Sequence, residues 1–408
     1  MPRFALVGMG GFARTYHSYM RKLAAAGLGR QVGQVAIAAD RENFGAEVEA
    51  LAQQGIPIYA SLRQMLAQAR EEIDVVCLPL GIPLHRPMTI AALEAGCHVV
   101  VEKPAAGSVQ DVDAMLAARD RTGRLCAVGF QHLYQREIQQ LKRRIVAGEF
   151  GRIQRIKGYG CWPRQPSYYR RNAWAGRLAM GDTWVLDSPH HNALGHAVNL
   201  MCYLGSAQPA AAVHPVSIQA ELYRANQIES ADTAVLRVQT AEGVQLFFAV
   251  SHCTDRTIDP VFAIEAEHAA IELTYDGEVN VVWADGRREK HSVVEEDAVG
   301  VFEDIAAVLC GTRQTLACPL DLTRAQVVCT CGSFEASDIH QLPEHLCVPD
   351  SDTGLIVVSG MTETVQEAFE RAALFSELGV SWARAGAEVA LTGYDYFPSL
   401  RPRLRGQS

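Results

Sequence analysis

An α/β fold is predicted for this chain, with a doubly wound parallel sheet in an N-terminal domain and a large, mainly antiparallel sheet in an α+β domain behind it. Three observations predict it. Apolar strand-like runs alternate with helical patterns over the first 130 residues, which implies parallel pairing through right-handed crossovers. After about residue 150 strand-like runs follow one another without helices between them, the pattern of an antiparallel sheet. The tail returns to helical periodicity. The boundaries that follow are 1–130 for the first domain, 131–345 for the second and 346–408 for a C-terminal helical extension.

In chain order, residues 4–7 read as the first strand and 12–25 as a helix. Residues 35–39 read as the second strand, ending on Asp40. Ser61 is placed to cap a helix over 62–69, because its hydroxyl can accept an orphan N–H of the first turn. A short buried strand follows at 75–78, then a helix over 88–95 stopped by Gly96, then strands at 99–101 and 127–130. In the second domain strands are expected at 153–161, 216–222, 233–238, 244–250, 269–274 and 279–283. Asp276-Gly277 and Asp285-Gly286 are hairpin turn signals, since both residue types tolerate positive φ. Helices are expected at 301–309 and 322–334. The tail carries one amphipathic helix over 362–378, with Val365, Phe369, Ala372 and Phe375 on one face and Gly379 as its stop.

The 408 residues suggest two or three domains, enough chain to bury a core without disulfide staples. A hydrophobic fraction of 49% with 20% charged residues is an ordinary globular mix. The net charge of -9 argues against a nucleic-acid partner, which would need a basic face. The N-terminal apolar run is too short for a signal peptide and no run approaches the length of a membrane span, so a cytoplasmic setting is expected. The eleven cysteines are scattered, and the lone pair Cys329-x-Cys331 has no partners at metal spacing. Reduced core thiols and no metal site are the expectation.

Chemistry begins at Gly8-Met9-Gly10-Gly11-Phe12-Ala13, a G-x-G-x-x-A string between a predicted strand and a predicted helix. Gly8 permits the tight turn, Gly10 lets backbone approach a pyrophosphate, and Ala13 allows close helix–strand packing, with Gly11 and Phe12 completing the loop. A pyrophosphate would sit on the helix N-terminus. The first domain is therefore read as a Rossmann domain. Asp40, 30 residues after Gly10, can accept from the ribose hydroxyls of NAD. Arg41 beside it could stack on adenine or pair with a 2′-phosphate, so NAD is expected and NADP stays open.

Val101-Glu102-Lys103-Pro104 closes a strand that follows Ala92-Leu93-Glu94-Ala95-Gly96, about 90 residues after the glycine loop. With Leu84-His85 and the Gly148-Glu149-Phe150-Gly151 turn, this string resembles the signature of the Gfo/Idh/MocA oxidoreductases over roughly residues 4–338. The resemblance implies a Rossmann domain plus an antiparallel-sheet domain, and hydride transfer between NAD(P) and a hydroxyl of a sugar, inositol or related polyol. It implies that Lys103 lies beside the nicotinamide and binds the reacting hydroxyl. It places Leu80, His85, Glu102 and Trp174 near the cofactor.

The family's second motif, D-x-G-x-H-x-x-D, aligns with Asp187-Ser188-Pro189-His190-His191-Asn192-Ala193-Leu194. Asp187 and His191 match. They share a helical face if the helix begins by Ser188. The implied roles are proton acceptor for His191 and orienting carboxylate for Asp187, with Lys103 stabilising the alkoxide. Pro189 and Leu194 depart from the pattern and give a D-S-P-x-x-N-A-x-x-H run. In that run Asn192 and His196 are alternative substrate contacts, and His190 is a packing or surface residue. Tyr168-Tyr169-Arg170-Arg171-Asn172-Ala173-Trp174 precedes the motif; Tyr169 is a candidate for stacking on a sugar, and the arginines can hold an anion. Three functions compete: a dehydrogenase with exchangeable cofactor, an enzyme that keeps NAD for transient oxidation in a redox-neutral sugar reaction, and a dinucleotide-dependent sensor. A homo-oligomer, dimer or tetramer, is expected by family analogy alone.

Overall fold

The computed structural model describes residues 1–291 and 300–399. Contacts divide the chain into two units. The first comprises 1–106, 111–135 and, among the described residues, 300–323. Its strands are β1 (Arg3–Val7), β2 (Arg30–Val35), β3 (Ile58–Tyr59), β4 (Val75–Leu78), β5 (His98–Val101) and β6 (Cys126–Val128), and its helices include α1 (Ala13–Ala25), α2 (Ala38–Asn43), α3 (Gly45–Gln53), α4 (Leu62–Ala69), α5 (Ile82–Glu94) and most of α6 (Val109–Thr122). The strands form one sheet in the order β3-β2-β1-β4-β5-β6, all pairs parallel. The order reverses between β1 and β4, the switch point where doubly wound sheets bind ligands outside the strand ends. β4 and β5 are apolar because helices cover both faces, and every residue of β4 is buried.

Local signals act as expected in several places. The Ser61 hydroxyl accepts the Gln64 N–H and starts α4, and Gly96 closes α5 with φ +88°. The second strand differs from its expected range. It ends at Val35 rather than Ala39, and Asp40 lies in α2, where its carboxylate accepts the Ile37 N–H at 3.2 Å. Gln34 is buried inside the strand, where its amide donates to the Gly8 and Val35 carbonyls at 2.8 and 2.9 Å.

The first unit also recruits a distant helix. α10 (Gly300–Leu309) lies outside the expected first domain, yet Phe302 packs edge-on against Phe4 and Tyr16, with ring centroids 5.8 and 4.9 Å apart. Burying such a ring contributes about 1.5–3 kcal/mol, so the chain's return here is part of the first unit's core.

The second unit comprises 107–110, 136–291 and 324–399 of the described residues. It contains α7 (Arg136–Val146), β7 (Ile153–Cys161), α8 (Pro166–Tyr169), the short strands β8 (Ala179–Met180) and β9 (Thr183–Trp184), and α9 (Gly195–Leu204). The strands that follow are β10 (Pro215–Arg224), β11 (Thr233–Thr240), β12 (Gln245–Ser251), β13 (Ile258–Ala266), β14 (Ala269–Thr274), β15 (Val279–Trp283) and β16 (Arg288–His291). After most of α11 (Leu320–Ala336) come β17 (Ile339–Gln341), β18 (Cys347–Pro349), β19 (Ile356–Val358), α12 (Met361–Arg371) and β20 (Glu388–Ala390). The large sheet runs β16-β15-β14-β13-β7-β12-β11-β10-β17, with β20 also on β10. Only β7–β12 and β10–β17 are parallel, so the sheet is mainly antiparallel. Gly277 and Gly286 turn its outer hairpins with φ of +90° and +88°.

Both faces of the middle strands of this sheet are covered. Phe248 and Val250 point with Gly158 and Gly160 toward Leu194 and α9. Phe247, Ala249, Val235 and Tyr223 point the other way, onto Met361, Val365, Ala368, Leu374 and Phe375 of the C-terminal extension. The expected tail helix over 362–378 is shorter: α12 stops at Ala372, whose φ is +48°. The break lets Leu374 and Phe375 turn into the sheet core. Lys142 of α7 is buried at the far end of α9, where it donates to the carbonyls of Tyr203, Ser206 and Ala211 at 2.5, 2.6 and 3.3 Å. A donor there satisfies the orphan carbonyls of a helix C-terminus, while burial lowers the amine's pKa to about 7.

Candidate functional site

In the first unit the glycine loop occupies the carboxyl end of β1, at the switch point. Gly8 has φ +92° and Gly11 +58°, conformations that L side chains rarely adopt. A Cβ on Gly10 would lie 3.0 Å from the Phe44 ring, and one on Gly8 3.4 Å from Leu80. The loop opens α1, whose first-turn amides are unsatisfied within the helix. Phe12 and Ile37 are exposed apolar side chains in this neighbourhood of the chain, at 42% and 52%. Such a cradle suits a dinucleotide, with the pyrophosphate on the amides of residues 10–13. Asp40 and Arg41 stand in α2; Arg41 donates to the Ala36 carbonyl at 3.1 Å.

The end of β5 is built around a buried carboxylate. Glu102 accepts the Tyr16 hydroxyl at 2.9 Å and the Gln131 amide at 3.1 Å on one oxygen, and the Lys103 N–H at 3.1 Å on the other. Burial raises its pKa to about 7, opposed by the Lys103 charge and by these hydrogen bonds. Gly129 makes room, since a Cβ there would stand 2.3 Å from the carboxylate. The Lys103–Pro104 peptide is cis. His85 lies behind this turn, fully buried, with Nδ1 2.8 Å from the Pro104 carbonyl and Nε2 3.0 Å from that of Leu80. It ties the loops after β4 and β5 together. Sequence reasoning singled out Glu102 and His85 but missed Tyr16 and Gln131, whose link to Glu102 spans 86 and 29 residues.

In the second unit the D-S-P segment does not form an ordinary helical turn. Asp187 precedes it outside any helix or strand, Ser188 is extended, and Pro189–Ala193 is a π-helical turn. Its wider pitch alters which side chains meet. Asp187 is bonded by the Asn192 amide at 2.7 Å, five residues on, and by the Gly176 N–H at 2.7 Å, with Arg171 at 3.6 Å. His191 is turned to α11, with Nδ1 3.0 Å from the Thr330 hydroxyl and 3.2 Å from the Gln326 amide. The expectation that Asp187 and His191 share an α-helical face is replaced by this arrangement, because π-turns are wider than α-turns. His196 stands in the first turn of α9. His190 is a packing residue, buried on Ser333 at 2.9 Å and held at a pKa of about 3 by burial.

The 166–177 segment layers rings and guanidinium groups. Arg171 lies 3.7 Å over the Tyr168 ring and 5.1 Å over Trp174, while Arg164 covers Tyr168 at 4.7 Å. The Tyr169 hydroxyl lies 3.4 Å from His252. Among the described residues no cluster of His, Cys, Asp or Glu could hold a metal ion.

A parallel sheet with a dinucleotide cradle at its switch point and a lysine just past the end of β5 suits an NAD-binding oxidoreductase domain. Residues 2–130 match the model of the oxidoreductase family with NAD-binding Rossmann fold, GFO_IDH_MocA. Over these residues the chain is similar to that family, which is described as NAD-binding. Among curated relatives, the 4-carboxy-2-hydroxymuconate-6-semialdehyde dehydrogenase of Sphingobium is 32% identical over 139 residues, 34% of this chain and 41% of that protein. The inositol 2-dehydrogenase/D-chiro-inositol 3-dehydrogenase of Halalkalibacterium halodurans is 25% identical over 203 residues, 50% and 52% of the two chains. The chain thus spans about half or less of the relatives' lengths. In fold it is similar to the WlbA dehydrogenase of Bordetella pertussis, solved with NADH and UDP-GlcNAcA: TM-score 0.65, 22% identity, 82% of this chain and 96% of that one. An oxidoreductase of Agrobacterium radiobacter gives a TM-score of 0.66 at 15% identity, over 82% and 95%. No helix among the described residues is long and apolar enough to cross a membrane.

Proposed function

We propose that the protein is an NAD-dependent dehydrogenase acting on a hydroxyl of a sugar, inositol or related polyol. The observation that carries this reading is the pairing, within the first unit, of the dinucleotide cradle at β1 with Lys103 at the end of β5. Bound NAD supplies the hydride acceptor. A carbinol loses hydride most readily as its alkoxide, so the protein must hold that negative charge and remove a proton. Lys103 is assigned the charge. Its backbone N–H is held by the Glu102 carboxylate, and the Pro104 carbonyl that follows is held by His85.

Proton removal is assigned to His191, whose ring is held by Thr330 and Gln326. Asp187 is assigned to support substrate binding with Asn192. General-base catalysis of this kind contributes about 100- to 10,000-fold in rate. The experiment is reduction of NAD+ by a panel of inositols, aldoses, uronates and glycosides, run with wild type, Lys103→Met and His191→Ala. Turnover by wild type that falls at least about 100-fold in both variants, with NADH affinity retained, supports the reading. Loss in His196→Ala but not in His191→Ala would move the proton acceptor one turn along.

A further inference from the structure

We propose that the cavity beside the 166–177 segment is a subsite for an anionic group, a carboxylate or phosphate, carried by the substrate. The proposal deepens the dehydrogenase reading and rests on it for the polyol body of the ligand. The cavity has a volume of about 750 Å³ and lies wholly within the second unit, a size typical of small-molecule sites. It is one peptide away from Asp187: Gly176 lines it, and the Gly176 N–H donates to that carboxylate. Gly176 has φ +70°, and a Cβ there would stand 2.8 Å from Ile228, so the loop is seated closely on the opposite wall.

The lining separates into an apolar side and a donor side. Tyr169 offers its ring while its hydroxyl is directed to His252, and Ile228 and Ile356 flank it. That surface suits the C–H face of a sugar. The charged lining groups are Arg170, Arg177 and Glu229, which leaves one cation in excess. Arg177 is neutralised by Glu229 at 3.0 Å, and Glu229 also accepts the Leu178 N–H. The Asn172 carbonyl oxygen is taken by the Trp174 N–H at 3.1 Å, which leaves its NH2 group as a donor. Arg170 and Arg171 are neighbours with opposite fates. Arg171 is occupied by Asp187, Tyr168 and Trp174. Arg170 is exposed and lines the cavity, and among the described residues its guanidinium has no carboxylate partner. One uncompensated guanidinium with an amide donor beside it matches the lone pairs of a carboxylate or phosphate and offers nothing comparable to a neutral hydroxyl.

The test is calorimetric titration of the full-length, NADH-loaded protein with glucose, glucuronate and glucose 6-phosphate. At least one anion is expected to bind about tenfold or more tightly than glucose, and the stronger of the two names the group. Arg170→Gln should bring that anion to the affinity of glucose, and Arg170→Lys should restore part of the difference. Equal binding of glucose and both anions, no binding of either anion, or an anion preference that survives Arg170→Gln would each overturn the proposal. The underlying reading fails differently. An Arg170-dependent anion preference in a protein that reduces no NAD+ with any polyol keeps the subsite and rejects the dehydrogenase.

Discussion

Replacing Glu102 with glutamine removes the charge that the first unit buries behind Lys103. The carboxyl pKa is raised from 4.5 to about 7, chiefly by burial. The folded state therefore holds its proton to a higher pH than the unfolded chain does. Stability from this group is undiminished below the unfolded value and is lost as pH rises toward the folded value. At about 1.4 kcal/mol per tenfold change in ionisation, ionised Glu102 lowers stability by about 3 kcal/mol above neutral pH. The glutamine variant has no such titration. It does have a second, pH-independent effect, because one amide oxygen replaces a carboxylate that accepts from Tyr16, Gln131 and Lys103. A lost buried acceptor costs about 1–3 kcal/mol. The two effects separate in urea unfolding followed from about pH 5 to about pH 8. Wild type should lose about 2.5 kcal/mol more across that range than Glu102→Gln. Parallel pH profiles for the two proteins would refute the reasoning.

Gly10→Val should abolish NADH binding with an unchanged circular dichroism spectrum, because the new side chain meets Phe44 within the cradle; calorimetry checks it. Lys142→Met leaves the carbonyls of Tyr203, Ser206 and Ala211 without their donor and should destabilise the second unit by about 1–3 kcal/mol, read as a lower urea midpoint. Truncation after Leu342 strips the cover from Tyr223, Val235, Phe247 and Ala249 and should give insoluble protein. Soluble truncated protein with unaltered secondary structure would contradict the packing role of the extension. Asp40→Asn should narrow the preference for NADH over NADPH, since a carboxylate repels a 2′-phosphate; the two dissociation constants measure it.

The sequence by itself determined whatever depends on neighbours along the chain. The glycine loop was legible because a tight turn before a helix requires glycine, and α4 because Ser61 caps its own first turn. The strands β7, β14 and β15 match their expected ranges residue for residue, since alternation and the Asp276-Gly277 turn fix them locally. The family resemblance rested on the same kind of short string. Only the tertiary structure decided the rest, because it depends on partners far away in sequence. Gln34 is buried inside β2 because its amide reaches the Gly8 carbonyl, 26 residues earlier. Phe302 joins the first core from beyond the second sheet. Glu102 is perturbed because Tyr16, 86 residues earlier, and Gln131 enclose it with Lys103. The π-turn at 189–193 hands Asp187 to Asn192 and turns His191 toward α11. A four-residue spacing names two side chains, but the pitch of the turn, set by what packs around it, decides whether they meet.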